Sequence, residues 1–122
     1  MAHYNKIILQ GRLGREPELK STTGDNQKCT FTVASNEYMG ADRNDQTHWF
    51  NVVAYNSQAK YISEWAHQGD EIVIAGRLRA DKYQNAQGQE QVYNYIKVEQ
   101  IINIRAKKQQ KEEAYDGTGT QY

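Results

Sequence analysis

The chain has 122 residues, of which 38% are apolar, with 15 basic side chains balancing 15 acidic ones; that is enough for one domain with a real core and too little for two of ordinary size. Zero net charge excludes a globally basic polyanion binder, so any basic surface has to be local. A single cysteine excludes an internal disulfide framework, and with no N-terminal apolar run longer than Ile7-Ile8-Leu9 neither a signal peptide nor a membrane span is expected.

From Tyr4 to Leu13 the residues Ile7, Leu9, Gly11 and Leu13 alternate with Lys6, Ile8, Gln10 and Arg12, which predicts a strand with glycine at a bend or bulge. The only proline, in Arg15-Glu16-Pro17-Glu18-Leu19, breaks it, and Ser21 to Asn26 reads as a turn with Gly24-Asp25-Asn26 at its apex. A second strand runs from about Cys29 to Asn36, with Cys29 in phase with Phe31 and Val33 and therefore read as a buried, inert thiol. Met39 to Thr47 is a polar hairpin loop leading into a third strand near His48.

The period then changes. Asn56 or Ser57 is placed as an N-cap, apolar residues recur at Ala59, Ile62, Trp65 and Ala66, and Gly69 stands where it would stop a short helix. Trp65 is expected to anchor this helix in the core. A fourth strand follows from Ile72, then a polar arm from Asp81 to Gln91 containing Gly88, then a fifth strand from Val92 to Ile104. Residues 1–105 make one domain, and residues 106–122 read as a polar, disordered tail without apolar period.

Two runs carry the chemistry. In Trp49-Phe50-Asn51-Val52-Val53-Ala54-Tyr55, strand alternation puts Trp49, Asn51, Val53 and Tyr55 on one face and Phe50, Val52 and Ala54 on the other, the expected core side. In the run from Ile72 to Tyr83, Ile72, Ile74 and Leu78 fall on the core side and Arg77, Arg79 and Tyr83 opposite. Aromatic rings on which bases can stack, set among cations that can meet phosphates, are what holding a single nucleic-acid strand requires. For Trp49 the competing reading is cross-strand packing, which its parity partner Tyr55 and the complementary apolar triad weigh against.

The order β-β-β-α-β-β, all-β with one short helix, fits a five-stranded OB-fold barrel. The opening Tyr4-Asn5-Lys6-Ile7-Ile8-Leu9-Gln10-Gly11-Arg12-Leu13-Gly14-Arg15-Glu16-Pro17-Glu18-Leu19 resembles that of bacterial-type single-stranded DNA-binding proteins. Further matches follow in order at Ala34-Ser35-Asn36-Glu37, Gln46-Thr47-His48-Trp49, Asn51-Val52-Val53, Gly76-Arg77-Leu78-Arg79, and Lys82-Tyr83 with Gly88-Gln89-Glu90. Each is weak alone, and together in register over residues 4 to 104 they are specific. The resemblance implies a homotetramer of OB-fold subunits that wraps single-stranded DNA with little sequence preference in replication, recombination and repair. The lone cysteine and the N-terminus without an apolar stretch lead to the expectation of a cytoplasmic setting, nucleoid-associated in a bacterium. The family's stacking aromatics map onto Trp49, Tyr55 and Tyr83; a fourth falls at Tyr38 or Met39, and Tyr38 is taken because it alone has a π-face. Arg12, Arg77, Arg79 and Lys82 are the proposed cations, each with a solvated face or ion pair as its competing role. Lys20, Lys28 and Arg43 lie in or beside loops that would flank such a groove, and Tyr93 and Tyr95 could extend the platform. The sequence ends Ala114-Tyr115-Asp116-Gly117-Thr118-Gly119-Thr120-Gln121-Tyr122 and does not show the family's acidic, Pro-Phe tip, which puts recruitment of replication and repair partners in doubt and is compatible with a truncated chain, a shortened paralogue or a phage or plasmid version.

His3, His48 and His67 have no metal-like spacing with Cys29 or each other, and no nucleophile, base and orienting group can be assembled. Neither metal, cofactor nor enzyme activity is expected. The rival within the fold is a primosome-type protein-interaction module with secondary DNA binding, against which the retained Trp49, Tyr55 and Tyr83 argue. A barrel nuclease would need clustered carboxylates, whereas Glu16, Glu37, Asp45, Asp70 and Asp81 are scattered.

Overall fold

Alternation of apolar and polar side chains is the force that sets these strands, since it gives each one a face to bury. A computed structural model describes residues 3–41 and 44–107. It contains β1 (Ile7–Leu13), β2 (Glu18–Ser21), β3 (Gln27–Glu37), β4 (Gln46–Tyr55), α1 (Asn56–Trp65), β5 (Glu71–Gln84) and β6 (Glu90–Arg105). The five long strands and the helix follow the expected order; Arg43 and residues 108–122, most of the expected tail, lie outside the described residues.

β1 runs antiparallel to β5, β5 to β6, and β4 to β3. The ring is closed by β3 returning to β1 at Arg12↔Ala34 and Leu13↔Val33, and by a parallel contact of β4 with β6 at Val52↔Ile96 and Val53↔Lys97. This is the OB arrangement, a closed five-strand barrel with a helix between the third and fourth long strands. Leu9, Leu13, Phe31, Val33, Val52, Ala54, Ile72, Ile74, Ile96 and Val98 fill it, with Cys29, and Ala59, Ile62 and Ala66 of the helix pack into the same core. Closing a small barrel forces backbones together. A Cβ at Gly11 would run into the Ala34 carbonyl oxygen, and one at Gly76 into that of Lys97.

Several expectations need correction. Trp65 is 62% exposed, not a core anchor. At about 100° per residue it falls roughly 90° off the stripe made by Ala59, Ile62 and Ala66, and it rests on Tyr61 with ring centroids 6.3 Å apart. Phe50 is 36% exposed because β4 meets β6 only at Val52 and Val53, leaving Phe50 with one strand neighbour. Leu78 is exposed because β5 leaves the barrel after Gly76. The polar arm is itself strand: β5 and β6 stay paired from Arg77↔Lys97 to Gln84↔Glu90, and Asn85 ties the tip by accepting the N–H groups of Gln87 and Gln89 at 3.0 Å each.

β2 is a strand where only a break was expected, paired with β3 from Glu18↔Thr30 to Ser21↔Gln27. The helix has Tyr55 at its N-cap with no side-chain cap. Asn56 instead takes a left-handed backbone, φ 55°, which its short polar side chain tolerates, and its Oδ1 accepts the Gln27 N–H at 3.1 Å. The helix stops at Ala66, not at Gly69. Gly69, φ 89°, turns the chain into β5 beside Asp70, whose buried carboxylate accepts the His67 and Lys107 N–H groups at 2.9 Å each.

Candidate nucleic-acid interface

Register links residues of four strands on the side away from the barrel core, with Val53 and Tyr95 among them buried. Trp49, Asn51, Val53 and Tyr55 of β4 stand opposite Ala34, Thr32, Thr30 and Lys28 of β3. Val53 also pairs with Lys97 of β6, and Lys97, Tyr95, Tyr93 and Gln91 pair in turn with Arg77, Arg79, Asp81 and Tyr83 of β5. Paired residues share a face, so the structure brings Trp49, Tyr55, Arg77, Arg79 and Tyr83 onto one face running from the barrel wall along the β5–β6 arm. Arg12, opposite Ala34, lies at its β1 margin.

Trp49 is 62% exposed. It lies over Gly14 in the β1–β2 connection, where a Cβ would come 2.5 Å from the ring; the missing side chain makes room for the indole. Tyr83 is 51% exposed, and Tyr38, the first residue past β3, is 72% exposed. Tyr55 is half-buried, with the Lys97 ammonium 5.6 Å from its ring centroid. Tyr93 is exposed and stacks on Tyr95 with centroids 5.3 Å apart. Tyr95 is no platform: its ring is buried, and its hydroxyl donates to Asp81 at 2.7 Å. Burial first, and that hydrogen bond second, raise its pKa far above the ordinary phenol value.

The cations are less free than their positions suggest. Arg77 meets Glu99 at 2.8 Å, Arg79 meets Asp81 at 3.6 Å, and Arg12 donates to the Gly69 carbonyl at 3.0 Å. Lys82 is out of phase with Arg77 and Arg79, on the reverse face of the arm, 3.7 Å from Glu90. Lys28 and Lys20 sit at strand ends beside the turn over residues 22–26 and face one another across β2 and β3. Lys97 was missed by sequence reasoning; its alternation with Tyr93 and Tyr95 carried the signal. Among the described residues no three His, Cys, Asp or Glu side chains converge as a metal site would require, and no helix is long and apolar enough to cross a membrane.

The chain is similar to several known proteins. The chain is 29% identical over 118 residues to a single-stranded DNA-binding protein of Streptococcus mutans, covering 94% of this chain and 72% of that one. It is 36% identical over 88 residues to one from Neisseria meningitidis, covering 69% of this chain and 50% of that one. The fold superimposes on Plasmodium falciparum SSB, solved as a complex with ssDNA, with a TM-score of 0.74 at 24% identity over 88% of this chain and 98% of that one. Because the model of the Single-strand binding protein family matches residues 4–104, from ahead of β1 to the end of β6, the chain belongs to that family.

Proposed function

We propose that the chain binds single-stranded DNA with little sequence preference, as one subunit of a homotetramer, and so protects exposed strands during replication, recombination and repair. The observation that carries this reading is the single register-linked face holding Trp49, Tyr55 and Tyr83 with Arg77 and Arg79. Every base has a π-face, so stacking on aromatic rings is indifferent to sequence and contributes about 1–3 kcal/mol per base. Trp49, Tyr55, Tyr83 and Tyr38 are the platforms; Arg77 and Arg79 reach the backbone beside them, Arg12 flanks the barrel end and Lys82 the back of the arm. Duplex is rejected because its bases are already stacked. The binding is passive, with no bond made or broken, in a cytoplasmic setting.

Tryptophan fluorescence during titration with poly-dT and with duplex, at two salt concentrations, tests this reading. The Trp65→Phe variant is the right background, since Trp65 is as exposed as Trp49. Quenching by poly-dT alone, weakened by salt, is the expected result. Absence of both quenching and binding would return the protein-interaction module. Sedimentation equilibrium at four times the chain mass is expected for the tetramer.

A further inference from the structure

Arg77, Arg79 and Lys82 each face a carboxylate. A phosphate meets there a charge already partly neutralised, which offsets part of the attraction. Two lysines stand differently. Lys28 lies directly across the β3–β4 ladder from Tyr55, and Lys97 holds its ammonium over the Tyr55 ring. Among the described residues neither lysine has a carboxylate within ion-pair distance. Asp81 of the arm is engaged elsewhere, one oxygen by Tyr95 and the other by Arg79. Tyr55 helps line a depression of about 430 Å³ with Asn26, Arg79, Asp81, Tyr95 and Lys97 among others, and Lys28 lies outside it, across the ladder from Tyr55.

We propose that this depression is a nucleotide-binding station, with Tyr55 as the base platform and Lys97 and Lys28 as the principal phosphate contacts of the whole surface. The proposal rests on the single-strand reading above. A base arriving on the Tyr55 face covered by Lys97 displaces the ammonium, and the flexible four-carbon stem carries the charge to the neighbouring phosphate. Stacking and phosphate contact at this station are therefore one event. Lys28, across the ladder, holds the phosphate on the other side of the ring.

The full chain is titrated with poly-dT over a salt series, comparing wild type with Lys97→Gln, Lys28→Gln, the double variant, Lys97→Arg, and Lys60→Gln on the exposed side of α1. Each lost phosphate contact is expected to flatten the slope of log affinity against log salt by about 0.7, and the double variant by roughly twice that. Affinity should drop several-fold per lysine, with unchanged thermal unfolding and with Trp49 still quenched at saturation. Lys97→Arg should restore the slope, and Lys60→Gln should match wild type. Wild-type slopes in Lys97→Gln and Lys28→Gln, with binding intact, would overturn the station alone. Failure of wild type to bind poly-dT would overturn the single-strand reading and the station with it.

Discussion

Trp49 owes its exposure to what lies beneath it. The indole rests on Gly14, whose lack of a side chain leaves the ring supported from below and open above. Because the ring adds nothing to the barrel core, Trp49→Ala should weaken poly-dT binding by about 1–3 kcal/mol while circular dichroism and the melting temperature stay put. Retained affinity in a native fold would make Trp49 a packing residue. Cys29 is the opposite case: it is fully buried, and burial, with a smaller push from Glu18, moves its pKa up to about 11. Since only the thiolate attacks, a thiol-specific disulfide reagent at pH 8 should leave the folded protein untouched and label it quantitatively in denaturant. Labelling of the native state at the denatured rate would contradict that environment.

At the scale of elements, what was legible in the sequence followed the period of two. Alternation survives any detail of twist, so the strand faces bearing Trp49, Tyr55, Arg77, Arg79 and Tyr83 could be read without coordinates. How far the barrel reaches is not periodic information. Phe50 and Leu78 have core parity yet emerge into solvent, because their strands outrun their neighbours. β2 is exposed at every position and exists only through its ladder with β3, so Glu18-Leu19-Lys20-Ser21 offered no apolar signal. The strand pairing of the polar arm leaves no trace for the same reason, since a hairpin solvated on both faces needs no apolar stripe. Ion pairing of the cations was equally hidden, because Arg77 and Glu99 are distant in sequence and adjacent only across the β5–β6 ladder. Where β5 enters the arm, Gly76 sits against the Lys97 carbonyl. Gly76→Ala forces the two strands apart, and overpacking of this kind typically costs about 1–3 kcal/mol. Denaturant unfolding should show that loss, and stability equal to wild type would mean the ladder can yield there without strain.

For the molecule as a whole, Glu71 joins three staves of the barrel. From β5 it accepts Gln10 of β1 at 2.6 Å and the Arg105 Nε of β6 at 3.0 Å. The Gln10 hydrogen bond first, and that from Arg105 second, hold its carboxyl below the ordinary carboxylate pKa. A lowered folded-state value means the stabilisation is complete above the ordinary carboxylate pKa and is lost as pH falls through the lowered one. Denaturation curves across the acid range should therefore decline less steeply with falling pH in Glu71→Gln than in wild type; parallel declines would remove Glu71 as a contributor. The ring these staves form has two short seams, β4 against β6 and β3 against β1, of two residue pairs each, while β5 and β6 share a long antiparallel ladder. Parting either seam breaks few hydrogen bonds, so amide exchange should begin at these two places, well before global unfolding. β4, which carries Trp49 and Tyr55, lies at the first of these seams, so in the single-strand reading proposed above the platform has lateral play: bases of unequal size are seated by a slight give in the wall, without any contact having to recognise them.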